Sequence, residues 1–248
     1  MSILVTRPSP AGEQLVERLR ALGMEAWHTP LIDVAPGRQL ALLPEAVAAL
    51  QRGDLLLAVS RHAVLYAAEA LRLAGRGWPT TPRYAAIGHS TAQSLGAACH
   101  QPVIFPPAPE TSEALLALPA IRQLRARRAL ILRGNGGRDL IADALRARGV
   151  SVTLCECYRR VAIAYPGDEL CARWRQQKVS TLVVTSGEML QQLYDLVPEY
   201  DRQRWLLSCR LIVVSERLAQ RARDLGWQEI RVAESANNDA LLRTLQIN

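Results

Sequence analysis

Lysine, phenylalanine and long apolar runs are scarce in this chain. Lys178 is the only lysine, Phe105 the only phenylalanine, and aromatic residues make up 5% of the sequence. So few rings leave few platforms on which unpaired bases could stack, which argues against nucleic acid as the partner despite a formal charge of +7. The longest apolar runs, such as Leu55 to Val59, fall far short of the roughly 20 residues that cross a bilayer, so no membrane contact is expected. Arg7 and Glu13 follow Met1 closely, without the basic start, apolar block and cleavage site of a secretory leader, and a cytoplasmic protein is expected. The five cysteines (Cys99, Cys155, Cys157, Cys171, Cys209) are odd in number and irregularly spaced, which fits a reducing compartment rather than a disulfide framework. Cys155-Glu156-Cys157 has no second cysteine pair and no paired histidines among His28, His62, His89 and His100, so no metal is expected. Its two thiols read as core positions on one face of a strand.

Nucleotide fingerprints are missing too. No Gly-Lys-Ser/Thr phosphate loop occurs, Gly134-Asn-Gly-Gly-Arg-Asp139 lacks the third glycine of a dinucleotide loop, and Gly-x-Ser-x-Gly is absent. A nucleotide-using transferase is thereby disfavoured.

What the 248 residues do contain is a duplication. Ile3-Leu-Val-Thr-Arg7 aligns with Ala129-Leu-Ile-Leu-Arg133 at an offset of 126 residues, and Gly23 aligns with Gly149 at the same offset. Asp54-Leu-Leu-Leu-Ala-Val-Ser60 meets Ser180-Thr-Leu-Val-Val-Thr-Ser186 at 126 again, and Arg83-Tyr-Ala-Ala-Ile-Gly88 meets Arg210-Leu-Ile-Val-Val-Ser215 at 127. Within each repeat, Val/Ile/Leu runs alternate with segments of helical period, the pattern of βα units around a mostly parallel sheet covered on both faces. Ser60, Ser186 and Ser215 stand where N-caps belong, and Gly23 and Gly149 where helices end in a left-handed residue. Ile32-Asp-Val-Ala-Pro-Gly-Arg38 and Tyr158 to Pro166 read as connectors. The expected fold is α/β: two similar doubly wound parallel-sheet domains joined by a two-stranded β linker.

Parallel α/β sheets bind ligands beyond the carboxyl ends of their strands, where helix N-termini attract anions. The loops there carry Arg7, Ser60, Thr91, Arg133, Gly134, Asn135, Ser186 and Ser215, small, hydroxylic or basic groups suited to carboxylates. Two classes fit such a molecule, an enzyme acting on a polyanionic small molecule and a non-catalytic bilobed anion sensor.

From end to end the chain resembles bacterial uroporphyrinogen-III synthases, particularly those of gammaproteobacteria. The likeness runs through Ile3-Leu-Val-Thr-Arg-Pro8, His28-Thr-Pro-Leu-Ile32, Leu130-Ile-Leu-Arg-Gly-Asn-Gly-Gly137, Cys155-Glu-Cys-Tyr-Arg159 and Val184-Thr-Ser-Gly-Glu-Met189. The resemblance implies an outer domain of residues 1–36 and 164–248 and an inserted domain of residues 37–163, each combining the opening of one repeat with the remainder of the other. It also implies a hydro-lyase that closes hydroxymethylbilane with loss of water, through a spiro intermediate that inverts ring D, using no cofactor. Tyr158 matches the tyrosine suspected of assisting hydroxyl departure, and Thr91 a threonine of the substrate cleft. Ser215-Glu-Arg-Leu218 departs from the family's usual threonine, which puts a role for the Ser215 hydroxyl in doubt. By the same resemblance the protein is a monomer that meets hydroxymethylbilane synthase transiently, if at all.

Overall fold

Runs of β-branched and leucine residues form short strands, and the amphipathic segments between them form the helices. The computed structural model describes residues 2–125 and 127–246. The first repeat supplies β1 (Ser2–Val5), α1 (Ala11–Ala21), β2 (Glu25–His28), β3 (Ile32–Pro36), α2 (Leu43–Ala48) and β4 (Leu55–Ala58). It continues through α3 (Arg61–Leu73), β5 (Arg83–Ala86), α4 (His89–Cys99), β6 (Val103–Ile104), α5 (Ser112–Ala117) and α6 (Pro119–Arg122). The second repeat supplies β7 (Arg128–Gly134), α7 (Leu140–Ala147), β8 (Ser151–Ala162), α8 (Gly167–Gln176), β9 (Val179–Val183) and α9 (Gly187–Leu196). It ends with α10 (Glu199–Arg204), β10 (Arg210–Val213), α11 (Glu216–Asp224), β11 (Ile230–Val232) and α12 (Asn238–Gln246).

These elements gather into two compact units, Met1–Asp33 with Val161–Asn248, and Val34–Arg160. The first holds a five-stranded sheet in the order β11-β10-β9-β1-β2, and its pairs are parallel. Alternate residues feed opposite faces. Leu4, Leu182, Leu211 and Val213 pack under α8, α9 and α11, while Ile3, Val5, Val183 and Ile212 pack against α1 and α12.

The second unit is built likewise in the order β3-β8-β7-β4-β5-β6, with parallel pairing from β8 through β6. Leu56, Ala58, Leu130 and Leu132 meet α2, α3 and α4, and Leu55, Leu57, Ala129 and Ile131 meet α5, α6 and α7. A sheet buried on both faces needs apolar residues at successive positions, which is why these strands read as continuous apolar runs.

Matched across the duplication, the order β11-β10-β9-β1-β2 is repeated as β6-β5-β4-β7-β8, with β1 and β2 standing where β7 and β8 do, and the second sheet adds β3 beyond β8. Each unit therefore joins the opening strands of one repeat to the later strands of the other. The chain passes between units inside β3 and inside β8, and these strands are neighbours in the six-stranded sheet, the expected two-stranded linker.

The repeats differ at one instructive point. Pro30 in Thr29-Pro30-Leu31 has no N–H for a sheet ladder, and the strand breaks there into β2 and β3. Cys155-Glu156-Cys157 occupies the matching positions, and β8 runs on for 12 residues.

The expected caps are in place. The hydroxyls of Ser60, Ser186 and Ser215 accept from the N–H groups of Ala63, Met189 and Leu218. Gly23 and Gly149 follow α1 and α7 with φ of 75° and 78°. All five cysteines are buried, as core positions should be. Among the described residues no helix is long and apolar enough to cross a membrane.

Candidate active site

The unit of residues 34–160 carries a pocket of about 220 Å³ at the carboxyl ends of β4, β5 and β7. Its apolar lining includes Val59, Ile87, Ile131, Ile141 and Leu154, and its polar lining includes Ser60, Ser112, Arg133, Arg138, Asp139 and Tyr158. This is where a parallel sheet presents helix N-termini to a ligand.

Tyr158 reaches the pocket through an irregularity of the sheet. β7 and β8 pair in step up to Arg133 and Glu156, and the register then shifts so that Gly134 faces Tyr158, leaving Cys157 over. An extra residue of this kind re-aims the side chains beyond it. Accordingly Cys157 and Tyr158, although adjacent, are both buried and pack in the same cluster. Gly134 is the seat of the tyrosine ring, since a Cβ there would lie 2.6 Å from Tyr158 Cζ and 2.9 Å from its Oη.

The ring lies 5.5 Å, centroid to centroid, from His62 in a tilted arrangement, and 6.3 Å from Tyr66 in a stacked one. The Tyr158 hydroxyl is bonded to Ser60 Oγ at 3.2 Å. Burial, together with the cations of Arg61 and Arg160, pushes the His62 imidazolium toward the neutral form. A neutral imidazole beside the phenol adds no charge to the pocket.

Other candidate residues of this unit are committed elsewhere. The Arg133 guanidinium folds back on its own loop, donating to the carbonyls of Gly134, Gly136 and Gly137 and pairing with Asp139. Asn135 bonds the main chain of Arg160 both ways, its amide nitrogen donating to the carbonyl and its oxygen accepting from the N–H. These two residues shape the turn between β7 and α7. Thr91 is buried at 5% exposure in the first turn of α4 and does not line the pocket. The start of α4 is closed by Glu110, whose carboxylate accepts from the His89 N–H at 2.9 Å. Gly88 leaves room for it, because a Cβ there would meet Glu110 Oε2 at 2.2 Å.

Arg7, Ser186 and Ser215 belong to the other unit, where Ser186 and Ser215 cap α9 and α11. Arg7 donates to Asn238 Oδ1, and burial lowers its pKa from the ordinary arginine value. Its Nε is buried with no partner among the described residues. The tyrosine seat is not repeated here, since the duplication puts Pro8 at the place of Gly134 and Ile32 at the place of Tyr158.

Ser112, Arg138 and His62 are not among the residues expected at the site, yet the first two line the pocket and His62 packs against Tyr158. Nothing in their local pattern marks them, because α3, α5 and the β7–α7 turn bring them together from distant parts of the chain. Among the described residues no group of three or more His, Cys, Asp or Glu could hold a metal ion. The arrangement provides one phenolic proton donor at the edge of an apolar pocket rimmed by arginine.

Known proteins share this chain's pattern along its length. A family model described as uroporphyrinogen-III synthase HemD matches residues 13–243. The uroporphyrinogen-III synthase of Escherichia coli (strain K12) is 58% identical over 246 residues, covering 99% of this chain and 100% of that one. Its counterpart from Salmonella typhimurium is 56% identical over the same shares of both chains. Among solved structures, a mutant uroporphyrinogen III synthase from the extremely thermophilic bacterium Thermus thermophilus aligns over 100% of both chains with a TM-score of 0.58 at 18% identity. Uroporphyrinogen-III synthetase from Helicobacter pylori 26695 aligns over 98% of this chain and 96% of that chain, with a TM-score of 0.58 at 15% identity. At such identities the two structures speak to the fold alone.

Proposed function

The chain belongs to the uroporphyrinogen-III synthase family, and from this premise we propose that it closes hydroxymethylbilane to uroporphyrinogen III at the Tyr158 pocket. Family membership makes the protein a cyclising lyase of tetrapyrrole biosynthesis. The observation that carries the reading of the site is the Tyr158 hydroxyl, anchored by Ser60 at the edge of a pocket at the strand ends.

In the proposed reaction the Tyr158 O–H bond breaks and its proton joins the leaving hydroxyl. The C–O bond then breaks, water departs with the electron pair, and a cation delocalised into the adjacent pyrrole remains. Ring D attacks through its substituted carbon, and the spiro intermediate rearranges to the inverted ring. When the closed macrocycle sheds a proton in regaining aromaticity, the phenolate takes it back. A positioned acid of this kind contributes about 10² to 10⁴-fold. Holding the flexible chain in the closing geometry contributes the larger share, as it does wherever an enzyme removes freedom before a bond forms.

The carboxylate-rich substrate is held by strand-end loops. Arg7, Ser186, Ser215, Thr91, Arg133 and Asn135 act there mainly by shaping loops whose main-chain N–H groups face the anions. The same reading makes the protein a cytoplasmic monomer without a cofactor, supplied by transient contact with hydroxymethylbilane synthase. The rival reading, a non-catalytic anion-binding protein, gains no support from relatives that are named as synthases.

The test supplies the purified protein with freshly made hydroxymethylbilane, oxidises the products and separates uroporphyrins I and III by chromatography. Isomer III in excess at substoichiometric protein is the expected result. Isomer I alone, formed at the rate seen without protein, would overturn the function.

A further inference from the structure

The second role of Ser60 rests on the proposed function and goes beyond it. Ser60 was expected to bind substrate, yet its hydroxyl is bonded on both sides within the protein. Its Oγ accepts from the Ala63 N–H at 3.1 Å, which caps α3, and it stands 3.2 Å from the Tyr158 hydroxyl. A serine hydroxyl has one proton to give. Among the described residues the Tyr158 oxygen is the only acceptor within reach of that proton, and Tyr158 has no other hydrogen-bond partner.

We propose that Ser60 is a positioning residue, whose O–H donates a hydrogen bond to the Tyr158 oxygen and so leaves the phenolic O–H free to point into the pocket as the donor. The order runs from the Ala63 N–H to Ser60 and from Ser60 to Tyr158, ending at the leaving hydroxyl of the substrate. Each bond in such a chain polarises the next. α3 has 13 residues, and the positive end of its dipole lies behind the chain, favouring the negative charge that develops on the tyrosine oxygen. Gly134 lies so close to the ring that a side chain there would collide with it, and the hydroxyl is held in this line by the ring's close packing.

The duplication supplies an internal comparison. Ser186, the counterpart of Ser60, caps α9 in the same way, but among the described residues its hydroxyl has no tyrosine partner, Ile32 taking the place of Tyr158 in the duplication. Capping alone thus accounts for Ser186, whereas Ser60 caps and also donates.

The experiment compares Ser60→Thr, Ser60→Gly, Tyr158→Phe and the double variant Ser60→Gly/Tyr158→Phe, measuring kcat, KM for hydroxymethylbilane, the isomer III fraction and the melting temperature. Glycine is a tolerated N-cap that donates nothing, and threonine both caps and donates. Ser60→Thr should stay within about twofold of the wild-type kcat. Ser60→Gly should lower kcat by about ten- to a hundredfold at unchanged KM, the factor carried by a hydrogen bond to a developing charge. In the Tyr158→Phe background the glycine should lower kcat no further. If Ser60→Gly does not fold, Ser60→Asp, which caps α3 and has no proton to donate at neutral pH, replaces it in the cycle.

A rise in KM at unchanged kcat, equal in both backgrounds, would mean that Ser60 holds substrate directly and would overturn the proposal. Equal losses of kcat in both backgrounds would overturn it as well, as would a Tyr158→Phe enzyme with wild-type kcat. Wild-type protein that yields no isomer III would instead defeat the function itself.

Discussion

Gly134→Ala tests the seating of Tyr158 with a single methyl group. The added Cβ would stand 2.6, 2.8 and 2.9 Å from Tyr158 Cζ, Cε2 and Oη, closer than side-chain carbons approach one another. The tyrosine has little room to retreat. It is 7% exposed, it packs against His62 and Tyr66, and its hydroxyl is tied to Ser60. Overpacking of this kind costs about 1 to 3 kcal/mol. The backbone itself raises no objection, because Gly134 is not among the glycines with positive φ. Without the ring, alanine would stabilise by about 0.4 to 1 kcal/mol by restricting the unfolded chain. The sign should therefore invert in a Tyr158→Ala background, a swing of about 1.5 to 4 kcal/mol between the two backgrounds. Urea unfolding of the four proteins in this cycle measures it. Gly134→Ala should also lose isomer III formation at least as severely as Tyr158→Phe, since it displaces the whole hydroxyl. A Gly134→Ala protein with wild-type stability and turnover, or equal effects in both backgrounds, would refute the seating argument.

Two further perturbations test the packing of each unit by itself. Burial alone would raise the pKa of Asp54, but the N–H groups of Gln51 and Arg128 and the Arg128 guanidinium more than offset it, so the carboxyl sits below its ordinary value. A depressed carboxylate stabilises the fold above its unfolded pKa of about 3.9 and loses that contribution as pH falls through the folded value. Asp54→Asn should thus cost about 1 to 3 kcal/mol at pH 7, and its difference from wild type should shrink below about pH 4, as read by urea midpoints at both pH values. In the other unit the buried Trp174 indole donates to Thr29 Oγ1 at 3.3 Å. Thr29→Val leaves that N–H without its partner and should lower stability by about 1 to 3 kcal/mol, and an unchanged urea midpoint would show that the bond contributes nothing.

Much of the architecture was readable because it depends on local chemistry. The offset of 126 residues survives as five strands in the same order in both sheets, and the apolar runs became strands buried on both faces. Ser60, Ser186 and Ser215 cap helices because a hydroxyl just before a helical segment satisfies first-turn amides wherever the chain goes afterwards. Arg133 was less readable. Its type and position suit a carboxylate, yet the flexible Gly136-Gly137 turn lets its own carbonyls curl onto the guanidinium. Glu110 was invisible for a related reason, since it reaches the start of α4 from 21 residues further along the chain.

Element types, caps and the lack of nucleotide fingerprints follow from residue chemistry over a few neighbouring positions, and the duplication from comparing such stretches 126 residues apart. The direction of Tyr158 came instead from strand pairing. Strict alternation along β8 would have set Tyr158 on the face opposite Cys157, and the register shift beside Gly134 brings both to the same side. That shift depends on the pairing of β7 with β8, and the Ser60 contact on the pairing of β7 with β4 from the other repeat. Such long-range pairings place a side chain through partners distant in sequence, which no local pattern encodes.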